Sequence, residues 1–147
     1  MSEALFHPAS RVLIVDDEVH IARFLQYLLN REGYHTAGAY DGAEALEQFS
    51  AFQPDAILLD VVLPKLSGLE VLQRIYENAE SPVRPIVLLL TGMNRQDLQA
   101  DMIKFGVAAY CPKPVAPTAL IRLLHRFGLY GFTYPRVSRA AAAASAY

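Results

Sequence analysis

Four short stretches of the sequence carry side chains whose chemistries belong together: Asp16-Asp17-Glu18, Asp60, Thr91 and Lys113. Brought into one crevice, Asp16, Asp17 and Asp60 would repel one another, because neighbouring carboxylates raise each other's pKa and resist leaving water. A divalent cation resolves that conflict. Mg²⁺ takes oxygen ligands in an octahedron and usually keeps waters, so one or two carboxylates and a phosphoryl oxygen suit it. The remaining groups fit phosphoryl transfer, where catalysis is largely positioning plus stabilisation of charge on the transferring oxygens. Asp60 is then the nucleophile, already ionised at neutral pH and in need of no base. Lys113 can pair with one phosphoryl oxygen as a point charge, and the Thr91 hydroxyl can donate a hydrogen bond to another.

These residues meet only if the fold gathers them, and the order of the elements predicts that it does. Residues 11–15 are an aliphatic run ending at the acidic stretch, after which Ile21, Phe24, Leu25, Leu28 and Leu29 recur at helical spacing until Gly33. Residues 34–40 read as a second strand, and Asp41 with Glu44 three positions on starts a helix carrying Ala45, Leu46 and Phe49. Residues 55–59 form a buried-type strand that delivers Asp60, followed by a helix from about residue 69 to residue 78. Residues 86–90 lead to Thr91-Gly92; Asn94 can cap a helix with Leu98, Met102, Ile103 and Phe105, and Gly106 ends it. Residues 107–111 are a fifth strand, and residues 117–127 a fifth helix with Leu120, Ile121, Leu123 and Leu124 on its buried side. Strands of this kind alternating with helices predict an α/β fold, a doubly wound five-stranded parallel sheet with five helices covering both faces. Ligands of such sheets sit beyond the carboxyl ends of the strands, where Asp16, Asp17, Asp60, Thr91 and Lys113 all fall.

With 147 residues, 53% of them hydrophobic and 19% charged, the chain suffices for one domain with a full core and is not a disordered polymer. The domain is expected over residues 11–127, between an N-terminal tail at 1–10 and a C-terminal tail at 128–147 that is alanine-rich and has no recognisable effector domain. The longest aliphatic run, residues 86–90, is too short to cross a bilayer, and residues 1–10 lack the pattern of a secretion signal, so a cytoplasmic protein without membrane attachment is expected. Cys111 is the single cysteine, which excludes an intrachain disulfide, and His7, His20, His35 and His125 have no metal-ligand spacing. The net charge of −2 hides a basic C-terminal third, with no acid after Asp101. No groove-reading element accompanies those charges, so nucleic acid is not an expected partner.

Taken singly, each residue has an ordinary structural reading. Asp16 and Asp17 could cap a helix, Asp60 and Thr91 could begin turns, Lys113 could be solvated, and Tyr110 could simply pack. The ordered set resembles the receiver family of response regulators: an acidic pair after the first strand, an aspartate closing the third and followed four positions later by Pro64, Thr91-Gly92 after the fourth, and Lys113-Pro114 after the fifth. The match covers roughly residues 11–127. The resemblance implies a flavodoxin-like fold of receiver type and phosphorylation of Asp60 by a histidine kinase, a phosphotransfer protein or a small acyl phosphate. It also implies Mg²⁺ held by Asp16, Asp17, Asp60 and the backbone oxygen of Val62, signalling through Thr91 and Tyr110, and a cis Lys113–Pro114 bond. Such a domain is not an enzyme with a separate substrate; it catalyses only its own phosphoryl transfer and slow dephosphorylation. Output is expected through the fourth helix, fifth strand and fifth helix, whose Lys104, Arg122 and Arg126 suit an acidic partner or self-association.

Val62 and Met93 stand where better-known members carry polar side chains, and neither can orient a water, so a long-lived phosphorylated form is expected. Competing readings fit less well. An interaction module that signals without phosphorylation has no use for the intact set. A flavodoxin-type electron carrier needs hydroxyls and glycines where Asp-Asp-Glu would repel a cofactor phosphate. Phosphohydrolases with an aspartate nucleophile resemble Asp-x-Asp, and Val62 occupies the place of the second acid.

Overall fold

A computed structural model describes residues 8–78, 84–92 and 95–131. Along them run β1 (Arg11–Val15), α1 (Val19–Arg31), β2 (His35–Ala39), α2 (Gly42–Phe52), β3 (Ala56–Asp60), α3 (Gly68–Asn78), β4 (Ile86–Thr91), α4 (Arg95–Lys104), β5 (Ala109–Pro112) and α5 (Pro117–Arg126). The strands form one parallel sheet in the order β2-β1-β3-β4-β5. The chain steps outward from β1 to β2 and then returns past β1 to β3, so the direction of winding reverses between β1 and β3. At that reversal the two following connections diverge and leave a crevice above the strand ends.

Successive side chains of a strand point to opposite faces, and the central strands fill two cores in this way. Val12, Ile14, Leu58, Leu88 and Leu90 pack with Ala22, Leu25 and Leu29 of α1 and Leu120 and Leu124 of α5. Leu13, Val15, Ile57, Leu59, Val87 and Leu89 pack with Ala45 of α2, Val71, Leu72 and Ile75 of α3 and Leu98 of α4. No helix among the described residues is long and apolar enough to cross a membrane.

The start of α2 and the ends of α1 and α5 follow their sequence signals, whereas Asn94, the expected cap of α4, lies outside the described residues. The Asp41 carboxylate accepts from the Glu44 amide at 2.8 Å, and the Glu44 carboxylate accepts from the Tyr40 amide at 2.9 Å, so α2 starts on a reciprocal cap. Ser67 and Glu70 exchange side-chain to backbone bonds at the start of α3 in the same manner. Gly33 and Gly128, at φ of 92° and 78°, reverse the chain after α1 and α5, and the next residue's amide returns to Leu29 and Leu124 respectively.

Three details differ from the sequence expectation. Phe24 and Ile103 are exposed, because the buried faces of their helices run through Ala22, Leu25 and Leu29, and through Leu98 with Met102 and Phe105 beside it. The fifth strand begins at Ala109 and not at residue 107: the Val107 amide is used to close α4 by bonding Met102 at 2.9 Å. Beyond Gly128 the chain continues in packed form at first. Leu129 is buried with the α1–α5 core, its carbonyl accepts from the Tyr34 hydroxyl at 2.7 Å, and Tyr130 and Ser10 exchange bonds of 2.8 and 3.0 Å. The short segment 129–131 has no periodicity to reveal this. The rest of the expected C-terminal tail, residues 132–147, and most of the N-terminal one lie outside the described residues.

Candidate functional site

The carboxyl ends of β1, β3, β4 and β5 converge as the strand order requires. Asp16 is the first residue after β1 and is fully buried. Its Oδ1 accepts from the Glu18 amide at 2.9 Å, holding the turn into α1. Its Oδ2 is buried without an aligned hydrogen-bond donor; the Lys113 Nζ lies 2.9 Å away as an ion-pair partner, off the line a hydrogen bond needs. Asp60 closes β3 and is 5% exposed. Its Oδ1 accepts from the Val62 amide at 3.0 Å and its Oδ2 from Lys113 Nζ at 2.8 Å. Asp17 stands exposed at the mouth, and one carboxylate oxygen from each of Asp16, Asp17 and Asp60 lies within 4.8 Å of the others.

Thr91 ends β4 and is buried, and its carbonyl accepts from the Lys113 amide at 2.9 Å, so threonine and lysine are tied through the backbone. The Lys113–Pro114 bond is cis, as expected. Asp17, Glu18, Asp60, Val62, Thr91, Gly92 and Lys113 line an open cleft of about 440 Å³. Tyr110 is half-buried on β5 and lines a separate groove of about 350 Å³ with Arg122 and Arg126 of α5. Met93, paired with Val62 in the sequence reading, lies outside the described residues.

Burial pushes the Asp60 carboxyl above the ordinary carboxylate range; the hydrogen bonds from Lys113 and Val62 and the lysine charge oppose this without cancelling it, and the Asp16 charge adds to the rise. Burial works against the Lys113 charge, but the hydrogen bond to Asp60 and the attraction of the Asp60 and Asp16 charges outweigh it and hold the ammonium above the usual lysine value. One ammonium thus serves a pocket of three acids. A buried carboxylate oxygen with no aligned donor, beside two more carboxylates, is the donor set a hard divalent cation takes, so the residues present fit Mg²⁺.

Three contributors were assigned no role at the site from sequence. Glu18 reaches Lys113 Nζ at 3.4 Å and adds a fourth acid to its surroundings. Lys65, in the loop after Asp60, has φ of 70° and an ion pair of 3.0 Å to Asp41. Gly68 donates to the Val61 carbonyl at 2.9 Å, and a Cβ there would collide with the Asp60 backbone oxygen. Gly68→Ala should therefore displace the Asp60 backbone, lowering stability by about 1–3 kcal/mol in denaturant unfolding, the range for overpacking. Unfolding identical to wild type would show that the loop yields freely.

A model of the response regulator receiver domain matches residues 12–125. Over 107 residues, 73% of the chain, the sequence is 39% identical to the alkaline phosphatase synthesis transcriptional regulatory protein PhoP of Bacillus subtilis, of which it spans 43%. The chain covers less than half the length of the curated relatives it matches. Among solved structures, the N-terminal domain of an uncharacterized protein of Wolinella succinogenes superposes with a TM-score of 0.74 at 30% identity, covering 82% of this chain and 94% of that one. The chemotaxis response regulator CheY4 of Vibrio cholerae gives 0.74 at 27% identity, covering 81% and 98%.

Proposed function

Because the chain belongs to the response regulator receiver domain family, we propose that it is a cytoplasmic phosphorylation switch in which Asp60 accepts a phosphoryl group. Members of this family receive the group from histidine kinases or phosphotransfer proteins, and catalyse its transfer to and from themselves without turning over a separate substrate. The observation that carries the reading is the meeting of Asp60, Asp16 and Lys113 at the carboxyl end of a central strand, with acids in excess of the single ammonium.

An Asp60 oxygen forms a bond to phosphorus as the bond to the donor's imidazole nitrogen, or to the acyl oxygen of a small acyl phosphate, breaks and its electron pair leaves with the donor. Asp16, Asp17 and Asp60, with the Val62 backbone oxygen, would hold Mg²⁺, which when bound supplies compensation for the negative charge of the transferring oxygens. Lys113 moves its ammonium from Asp60 to a phosphoryl oxygen, and the Thr91 hydroxyl donates to another. Incubation with Mg²⁺ and a small acyl phosphate should add one phosphoryl group to the intact mass. A protein that gains none, under conditions where a control receiver does, would overturn the assignment.

Val62 is 67% exposed at the mouth of the cleft, and its side chain has no polar atom to hold an attacking water. The phosphorylated protein should therefore persist for minutes or longer in the presence of Mg²⁺, and Val62→Asn should shorten its lifetime. Decay of the wild type within seconds, followed by phosphate release, would refute this.

Output follows from Thr91 and Tyr110. Drawing the threonine hydroxyl toward the phosphoryl oxygens changes the space beside β5, and Tyr110 then turns inward, biasing an existing two-state equilibrium over α4, β5 and α5. The partner is a downstream protein or a second copy. Lys104, Arg122 and Arg126 favour an acidic surface, although Asp101 on α4 makes the patch less uniformly basic than its cations alone suggest. Hydrogen exchange should change across residues 95–127 on phosphorylation; changes confined to the loop after Asp60 would exclude this route.

A further inference from the structure

We propose that the Lys65–Asp41 ion pair is a latch that fixes the loop after Asp60, making Lys65 a positioning residue for the Val62 backbone; the proposal rests on the reading of Asp60 as acceptor and Val62 as a cation ligand. The loop at 61–67 is fastened firmly at its far end. Gly68 donates to the Val61 carbonyl at 2.9 Å, and Ser67 caps α3. Its middle is different. Leu66 donates to the Pro64 carbonyl at 2.8 Å across Lys65, whose φ is 70°. That is a three-residue turn with its central residue in the left-handed region, a rare and strained arrangement for any residue but glycine. Strained backbone persists where its surroundings hold it, and such positions cluster at functional sites.

The surroundings here are the start of α2. Lys65 Nζ donates to Asp41 Oδ2 at 3.0 Å, and Asp41 is no free rotor, because its Oδ1 is already fixed by the Glu44 amide. The Asp41 carboxyl lies below its ordinary value, held there first by the Glu44 amide and then by Lys65. Leu66 rests directly on Gly42, where a Cβ would collide with its Cβ. Leu63 and Leu66 add partly buried apolar contacts, which do not select a direction. The Lys65–Asp41 bond is a directional side-chain tether from the middle of the loop to the start of α2. An exposed pair of this kind contributes little to global stability, and Lys65 is 66% exposed. What it can fix is position: the Val62 amide is held on Asp60 Oδ1 at one end of the loop, and a tether at Lys65 limits how far the backbone between them can move.

The test compares Lys65→Met, Asp41→Asn, their double variant and Lys65→Arg. Asparagine caps a helix as well as aspartate, so α2 keeps its start while the latch loses its charge. Mg²⁺ binding is read from amide shifts of residues 60–68, and hydrogen exchange of the Val62 amide is measured in the metal-free protein. Each charge-removing variant should weaken Mg²⁺ binding by roughly tenfold, the low end for residues that orient a ligand. The double variant should be no worse than either single one, Lys65→Arg should bind as wild type, and the Tm should shift by no more than about 2 °C. Val62 exchange should quicken in the same variants and not in Lys65→Arg. Unchanged Mg²⁺ affinity and unchanged Val62 exchange in both single variants would overturn the latch, as would additive losses in the double. A wild type that binds no Mg²⁺, with Val62 exchange still loosened in the variants, would remove the Asp60 reading and leave the latch standing.

Discussion

Asp60→Asn should end phosphorylation and yet give a more stable protein. The amide is not a nucleophile toward phosphorus, so phosphoryl transfer at this position should fall by at least about a hundredfold. The gain in stability comes from the same burial that shapes the site. Desolvation is the largest influence on Asp60 and raises its carboxyl above the unfolded value in spite of Lys113 and Val62. The folded state therefore binds the Asp60 proton more tightly than the unfolded chain does. Its stability is fullest when that proton is on, and declines as pH rises from the ordinary carboxylate value of 3.8 through the raised folded value. Asparagine has no proton to lose. It keeps an oxygen for the Val62 amide, removes the repulsion with Asp16, and leaves Lys113 its 2.9 Å partner there. A gain of about 1 kcal/mol at neutral pH, or roughly 4 °C in Tm, follows for replacement of one buried charge by a neutral isostere. It should shrink toward zero in acid. Thermal unfolding across the acid-to-neutral range decides the point: a variant less stable than wild type at neutral pH would mean that the ion pair, and not desolvation, dominates Asp60.

How far the sequence discloses this arrangement depends on how local each signal is. The central strands are legible because a strand buried on both faces must be apolar at every position, as in the Ala-Ile-Leu-Leu of β3. β2 is an edge strand reading His-Thr-Ala-Gly-Ala, and only its place between two helices identifies it. The meeting of Asp16, Asp17, Asp60, Thr91 and Lys113 is legible for a topological reason: residues next to the carboxyl ends of parallel strands share one edge of the sheet.

Other features depend on three-dimensional detail. That Lys113 sits between Asp16 and Asp60, with Glu18 at its side, is a matter of side-chain reach across strands far apart in the chain. The positive φ of Lys65 carries no signature, since lysine is not a residue chosen for that conformation. Phe24 and Ile103 satisfy helical spacing in a list of apolar residues, but which 100° arc is covered depends on what lies beneath it. Leu129 becomes core because Gly128 turns the chain back under α5, a change of direction that periodicity cannot express.

Lys113→Met should have the largest effect on folding, with a pH dependence that identifies its cause. The ammonium lies 2.8 Å from Asp60 Oδ2 and 2.9 Å from Asp16 Oδ2, with its side chain 17% exposed. Burial opposes its charge, but the two carboxylates more than compensate and raise its pKa. A lysine raised in the fold contributes fully below its unfolded value of 10.5, so the wild type has the whole benefit at neutral pH. Methionine keeps much of the stem's volume and leaves Asp16 and Asp60 facing one another without a counter-charge. Removing one partner of a buried pair costs about 3–5 kcal/mol, and the partial exposure of Lys113 points to the lower end. With the lysine gone, the influences that lowered the Asp60 carboxyl are reduced and its value climbs further, so the variant should regain stability as pH falls toward that value. Mg²⁺ should restore it too. A ligand bound only by the folded state adds about 2.7 kcal/mol at a hundred times its dissociation constant, and in the variant the cation no longer competes with an ammonium for the same oxygens. The Tm of Lys113→Met should thus rise more steeply with Mg²⁺ than that of wild type, and rise again as the pH is lowered from neutral toward the raised Asp60 value in metal-free buffer. A Tm that ignores Mg²⁺ and falls over that acid step would show that the carboxylates are not held in the conflict their geometry describes.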